Sequence, residues 1–178
     1  MEELKLVRPS EEHKLQYEAM MDEWEAFGGR LNPGALRRFS NKQQKNVSYE
    51  EWLKWMEDDR KAGQDLYFFL KGNRIIGGIS IRFKRTLPNV GTDGHSGYGI
   101  RPSERKKGYA STMLSMALPI MKEYGINPVV ITCAKENVGS AKTIIKNGGK
   151  LMEEVLEPDT GEIVQIYYID LSIEISNL

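Results

Sequence analysis

One stretch constrains the fold more than any other. Between Tyr98 and Cys133 the chain reads strand, then helix, then strand. "HSGYGI" has the make-up of a strand, Gly108 to Tyr124 carries Ala110, Met113, Leu114, Ala117 and Met121 at helical spacing, and "PVVITCA" is a continuous apolar run. A strand with no polar face must be covered on both sides. Two strands joined through a helix run parallel, with that helix packed on the sheet. Pro119 lies inside the helical pattern, so a kink or break is expected there.

The remaining segments extend this unit into an α/β (α+β) order of β-α-α-β-β-β-α-β-α-β-β. "LKLV" reads as a strand, followed by a helix capped by Ser10, with Leu15, Met20, Trp24 and Phe27 as its apolar stripe and Gly28-Gly29 as its stop. From Ala26 to Tyr49 no acidic residue appears, and the Gly/Asn/Pro content marks a loop. Ser48 and Glu51 form a capping-box pattern before a helix bearing Trp52, Trp55 and Met56 on one face. "DLYFFLKGNRIIGGISIRFKR" is two strands split by a turn, and "TLPNVGTDG" is a turn-rich connection. "NVGSAKTIIKNGG" is a short helix capped by Asn137, and two strands joined through "PDTG" follow it. No linker divides the 178 residues, so a single domain over 1–178 is expected.

The 25 basic and 25 acidic residues cancel, which argues against a nucleic-acid coat. One cysteine, Cys133, and two histidines, His13 and His95, are too few for a usual zinc site, and no metal is expected. The charged start and the lack of any long apolar run predict a cytoplasmic protein without a membrane span.

Against that neutral background, "RPSERKKGYA" gathers four cations at the mouth of a helix. The first N–H groups of a helix lack carbonyl partners and sit at the positive end of its dipole. Gly108 allows unusual backbone angles, and Ala110 is small enough to let a ligand approach. Such a site suits a pyrophosphate-sized anion. A solvated basic loop is the plainer reading of the same residues.

Arg105-Lys106-Lys107-Gly108-Tyr109-Ala110 matches the Arg/Gln-x-x-Gly-x-Gly/Ala signature of the GNAT superfamily of acyl-CoA-dependent N-acetyltransferases. "GYGIRPSERKKGYASTML" resembles that family's fourth strand, pyrophosphate loop and third helix. "VVITCAKENVGSAKTIIKNGGKL" resembles its fifth strand and fourth helix, with Asn137 and Ser140 in an Asn-x-x-Ser/Ala pattern. The resemblance implies a mixed, mostly antiparallel twisted sheet of about six to seven strands, flanked by about four helices, with a splayed parallel pair forming a slot. It also implies acetyl-CoA as co-substrate, held by main-chain amides of Lys106 to Ser111 beside Arg105. Main-chain groups of Tyr98, Gly99 and Ile100 would pair with the pantetheine arm, one N–H polarising the thioester carbonyl. Asn137 would contact the arm, although it is also a good helix cap. Ser140 is expected to support the helix start.

The implied reaction is direct attack of a primary amine of a small molecule, peptide or protein on the acetyl thioester. An acyl-CoA-binding sensor without catalysis is the alternative. A Tyr that many relatives carry seven residues after the helix-four Asn is Ile144 here, and a Glu five residues before that Asn is Thr132. His95, at the start of a slot-wall strand, is the candidate base, with a structural histidine as the plainer reading. Tyr168, on the last strand, is the candidate acid, and Cys133 reads as core. The resemblance implies that the loop between the first two helices helps form the acceptor side; here it carries Arg30, Arg37, Arg38, Lys42 and Lys45 and no acid, which suggests an acceptor with a carboxylate or phosphate beside its amine, a solvated loop being the plainer reading. A homodimer through exposed sheet edges is compatible with the pattern.

Overall fold

The computed structural model describes residues 2–85 and 93–172, so most of the connection expected to be turn-rich lies outside the described residues. Four strands form one antiparallel sheet: β1 (Leu4–Val7), β4 (Gln64–Lys71), β5 (Arg74–Arg82) and β6 (Ser96–Ile100), in that spatial order. β7 (Val129–Ala134), β9 (Ile163–Ile169) and β8 (Lys150–Leu156) form a second antiparallel sheet in that order. A small ladder of β2 (Phe39–Ser40) and β3 (Lys45–Asn46) sits within the segment expected to be a plain loop.

The interiors of β4 and β5 are buried at every position, on both faces. Two helix pairs explain this. On one face, α1 (Lys14–Phe27) and α2 (Tyr49–Ala62) enclose an aromatic core in which Tyr17 stacks on Trp52 at 4.9 Å and Phe68 lies beneath. On the other, α3 (Tyr109–Glu123) and α4 (Val138–Lys146) cover Phe69, Ile79, Ile81 and Ile131. Burying each such side chain contributes roughly 2 kcal/mol, so coverage of both faces is what permits strands this apolar.

Helix ends follow local chemistry. Ser48 Oγ accepts from the Glu51 N–H at 3.1 Å, and Asn137 Oδ1 accepts from the Ser140 N–H at 3.1 Å. Two expectations need correction. The buried stripe of α1 is Tyr17, Met20 and Trp24, whereas Leu15 and Phe27 are 78% and 65% exposed. Of the kink or break expected at Pro119, a break does not occur: α3 runs on to Glu123 with Leu118 and Met121 buried. Packing on the sheet outweighs the one hydrogen bond that a proline removes.

The two sheets meet at one place. The His95 N–H donates to the Val130 carbonyl at 2.7 Å, and the Val130 N–H donates to His95 Nδ1 at 2.9 Å. Beyond this clip β6 and β7 form no ladder among the described residues, and a cleft opens between them.

Candidate active site

The cleft has a volume of about 520 Å³ and runs from the α3 mouth between β6 and the start of α4. Its end at α3 is built from backbone. Lys106 and Gly108 both hold left-handed conformations, with φ of 61° and 82°. No side chain caps α3. The N–H groups of Lys106, Lys107, Gly108, Tyr109 and Ala110 make no hydrogen bond among the described residues, whereas the Ser111 N–H donates to the Gly108 carbonyl at 3.1 Å. The expected run of amides therefore stops at Ala110. Asn147, read from sequence only as part of a helix end, fixes this region: its Nδ2 donates to Ser111 O at 3.2 Å, Ser111 Oγ at 3.1 Å and Thr143 O at 2.9 Å.

The cations around the loop turn mostly to other work. Arg101, which is buried, donates from Nε to Glu23 Oε2 at 2.5 Å and ties β6 to α1. Burial opposes ionisation of Glu23, yet hydrogen bonds from Ser103 and Arg101 win and hold its carboxyl at about 2. Arg105 donates from Nε to the Ile100 carbonyl at 3.0 Å, and its guanidinium lies 5.2 Å from the Trp24 ring and 4.8 Å from the Phe27 ring. Lys107 and Arg74 both bind the buried Glu104. Lys106 is exposed and has no charged partner among the described residues.

Along the β6 wall, hydrogen bonds to β5 fall on odd-numbered residues: His95 O accepts from Arg82 N–H at 2.7 Å, and Arg101 N–H donates to Ile76 O at 2.9 Å. The register carries no shift between them. Tyr98 and Ile100 consequently aim their main-chain groups away from β5, into the cleft, and Gly99 aims its own at β5. Asn32 Nδ2 donates to the Tyr98 carbonyl at 2.9 Å, which brings the α1–α2 loop onto this wall. Gly99 makes that approach possible, since a Cβ there would meet Asn32 O at 2.1 Å. Two residues lining the cleft, Ser96 and Trp24, each carry a buried polar atom, Oγ and Nε1, with no hydrogen-bond partner among the described residues. Unmade buried hydrogen bonds are costly, so orphans of this kind mark a place for a ligand.

The Tyr98 side chain crosses the cleft, and its hydroxyl lies 2.9 Å from Ser140 Oγ. Burial pushes the phenol up to about 12, only partly offset by the Ser140 contact. Asn137 and Ser140 line the same cleft, with Asn137 acting as the cap of α4 through its Oδ1.

His95 and Tyr168 stand elsewhere. His95 is buried and does not line the cleft. Its Nδ1 accepts from Val130 N–H, so Nε2 carries the proton, which it donates to the Arg85 carbonyl at 3.0 Å. Both nitrogens are occupied, and burial lowers the pKa despite the carbonyl contact. Tyr168 lines a separate depression with Asn127, Lys150 and Asp170. Cys133 is buried and its thiol is pushed up by that burial, as a core residue.

The fold and cleft define an α/β protein with an anion cradle at a helix mouth and a polar slot leading from it between two diverging strands. Residues 4–150 match the family model of the acetyltransferase (GNAT) domain, and the chain belongs to that family of enzymes. Solved structures with the same fold include an acetyltransferase from Salmonella typhimurium that modifies the N-terminal serine of ribosomal protein L7/L12, at 18% identity and a TM-score of 0.67, covering 94% of this chain and 95% of that one. The microcin C7 self-immunity acetyltransferase MccE, solved with acetyl-CoA and AMP, is similar at 17% identity and a TM-score of 0.65, covering 95% and 93%. An N-acetyltransferase from Staphylococcus aureus Mu50 is similar at 18% identity and a TM-score of 0.65, covering 95% and 99%. No curated protein sequence matches the chain.

Proposed function

We propose that the protein transfers an acetyl group from acetyl-CoA to a primary amine by direct attack within a ternary complex. The observation that carries this reading is the run of five amides, Lys106 to Ala110, beside a cleft bordered by Ser96 and Trp24, whose Oγ and Nε1, like those amides, have no partner among the described residues. Those amides fit the pyrophosphate of coenzyme A, and the main-chain N–H groups of Tyr98 and Ile100, whose carbonyls already accept from Asn32 and Arg105, fit carbonyl oxygens of its pantetheine arm. Acetyl-CoA supplies the activated acyl group. The N–H of Tyr98 or Ile100 polarises the thioester carbonyl from a fixed position. Holding amine and thioester together supplies much of the rate.

Tyr98, rather than Tyr168, carries the acid role in this reading. Its hydroxyl stands in the cleft, and a phenol raised to about 12 stays protonated at neutral pH, ready to donate to a departing thiolate. The Asn137 amide NH2 remains available to the arm while its Oδ1 caps α4. His95 is given no proton-transfer role, because accepting a proton at Nδ1 would break its bond to Val130.

Acetyl-CoA at a hundredfold excess over its Kd would stabilise the fold by about 2.7 kcal/mol, which a melting curve resolves. Thiol release over a panel of amines then measures transfer. Absence of a melting shift with both acetyl-CoA and coenzyme A removes the proposal. Tyr98→Phe is expected to lower kcat by roughly a hundredfold while leaving acetyl-CoA affinity within a fewfold.

A further inference from the structure

Where β6 and β7 part, a second depression of about 410 Å³ continues the cleft and shares Asn32, Gly97 and Thr132 with it. One group in it stands out. Arg82 closes β5 on the face that also carries Gly97 and Gly99, and it is half-buried. Its Nη1 donates to two main-chain carbonyls, Asp93 O at 3.0 Å and Gly94 O at 3.4 Å. Its Nη2 lies over Gly97, 3.5 Å from where a Cβ would stand, with Asn32 Oδ1 at 3.4 Å from the same point. The nearest carboxylate in sequence is already used, since Asp93 Oδ2 binds Arg85 at 3.1 Å. Arg82 makes no ion pair with any described residue.

Among the described residues this half-buried guanidinium meets carbonyls and no carboxylate, so it has lost solvent without gaining an ion-pair partner there. Burial accordingly lowers the Arg82 pKa, the neighbouring Arg85 adds to that effect, and Asp93 opposes it. Arg30, exposed on the α1–α2 loop, lines the same depression and also has no ion-pair partner among the described residues. Two cations thus border the space next to Ser96, from separate elements. Glu157 and Glu162 line that depression from the β8–β9 hairpin. A guanidinium with no ion pair among the described residues on one wall and glutamates on another suit a molecule that carries both signs of charge.

We propose that Arg82, assisted by Arg30, binds an oxyanion group of the amine acceptor, a carboxylate or a phosphate, so that the acceptor is an amino-acid-like amine rather than a polyamine. This rests on the acetyl-transfer reading for its chemistry, but the anion site itself can be tested without turnover. With Nη1 held by the two carbonyls, the Nε–Nη2 edge of Arg82 is the pair of parallel donors left for an oxyanion. Glu162 attracts the ammonium end, which gives its proton to solvent water before the neutral amine attacks.

The test is calorimetry on the whole chain with three probes in the presence of coenzyme A: N-acetylglycine, N-acetylglycinamide and N-acetyl-phosphoethanolamine. The acid or the phosphate is expected to bind at least tenfold more tightly than the amide, and which of the two does so identifies the oxyanion. Arg82→Gln is expected to erase that preference while leaving coenzyme A affinity unchanged. Because Arg82 also holds the 93–94 turn, Arg30→Gln, an exposed substitution, is the second variant, expected to weaken the anionic probe several-fold with an unaltered melting temperature. In turnover, glycine or phosphoethanolamine should exceed glycinamide and spermidine in kcat/KM by tenfold or more. Equal affinity of all three probes, or a preference that survives Arg82→Gln, overturns the proposal. If coenzyme A does not bind but the anionic probe does, in an Arg82-dependent way, the anion site stands and the acetyl-transfer reading falls. If coenzyme A binds and the anionic probes show no preference, only the anion site falls.

Discussion

Two segments of the molecule are basic, residues 101–108 and residues 30–45, and they use their charge in opposite ways. In the first, Arg101, Arg105 and Lys107 are bound to Glu23, the Ile100 carbonyl and Glu104, so the loop is braced from three sides. Its power to hold an anion lies in amides, not in side chains. In the second, Arg38 donates to the Val47 carbonyl at 3.2 Å and lies over the Tyr17 ring, while Arg37, Lys42 and Lys45 are exposed and only Arg30 faces the cleft. Clustered charge in a sequence therefore says little about where an anion sits. Among the described residues, the loop amides at one end of the slot lack acceptors and Arg82, toward the other, lacks an ion-pair partner.

That contrast is most directly broken at Gly108. Its φ of 82° forbids a β-branched residue without strain, although a Cβ there meets no atom within 4 Å. Gly108→Val should weaken acetyl-CoA by about thirtyfold to a hundredfold, on the order of 2–3 kcal/mol, by turning amides out of line. Lys106→Ala and Lys107→Ala should each change affinity by only a fewfold; larger losses in them than in Gly108→Val would return the site to its side chains.

The β6 wall provides a second test. Gly99→Ala places a methyl group against Asn32 O and the Trp24 ring, and overpacking of this kind costs about 1–3 kcal/mol. A melting temperature lowered by several degrees is expected, with loss of transfer activity as the α1–α2 loop moves off the slot. Full activity in Gly99→Ala would mean that Asn32 need not stand there.

His95 separates structure from chemistry. Removing it leaves the Val130 N–H unpaired in the core, so His95→Ala should cost about 1–2 kcal/mol, read by denaturant titration. The folded fraction should keep kcat within about threefold, whereas a catalytic base would lose a hundredfold or more. A smaller, pH-dependent effect accompanies this. The folded pKa of His95 lies below the value near 6.5 of the unfolded chain, so the unfolded state takes up the proton first. The histidine's contribution is complete above pH 6.5 and declines as pH falls through 6.5 toward the lowered value. His13, also lowered mainly by burial, adds in the same direction. Melting temperature should drop between pH 7 and pH 5, and less steeply in His95→Ala.

Much of this architecture could be read from residue pattern. Helix caps at Ser48 and Asn137, the strand–helix–strand unit and the amide-bearing turn before Tyr109 all depend on neighbours a few positions away. Apolar periodicity puts Leu15 and Phe27 on the α1 stripe, yet they stay exposed while Tyr17 is buried, because the side of α1 that packs on the sheet is set by tertiary contacts. The small β2–β3 ladder lay hidden in a segment rich in turn residues. Asn32 and Asn147 gave no signal at all, since each acts on a strand or helix more than 30 residues away in the chain.

Periodicity, caps and the loop sequence determined on their own the order of strands and helices and the free amides at the mouth of α3, because those features are local, whereas the GNAT fold was implied by the resemblance of the loop and helix-four motifs to that family. Only the tertiary structure decided which cations are spent on bracing, that Tyr98 rather than Tyr168 reaches the slot, and that His95 pins the two sheets together. Those outcomes turn on burial and on partners distant in sequence, and the energy of a charge or a hydrogen bond depends on what surrounds it once the chain has closed.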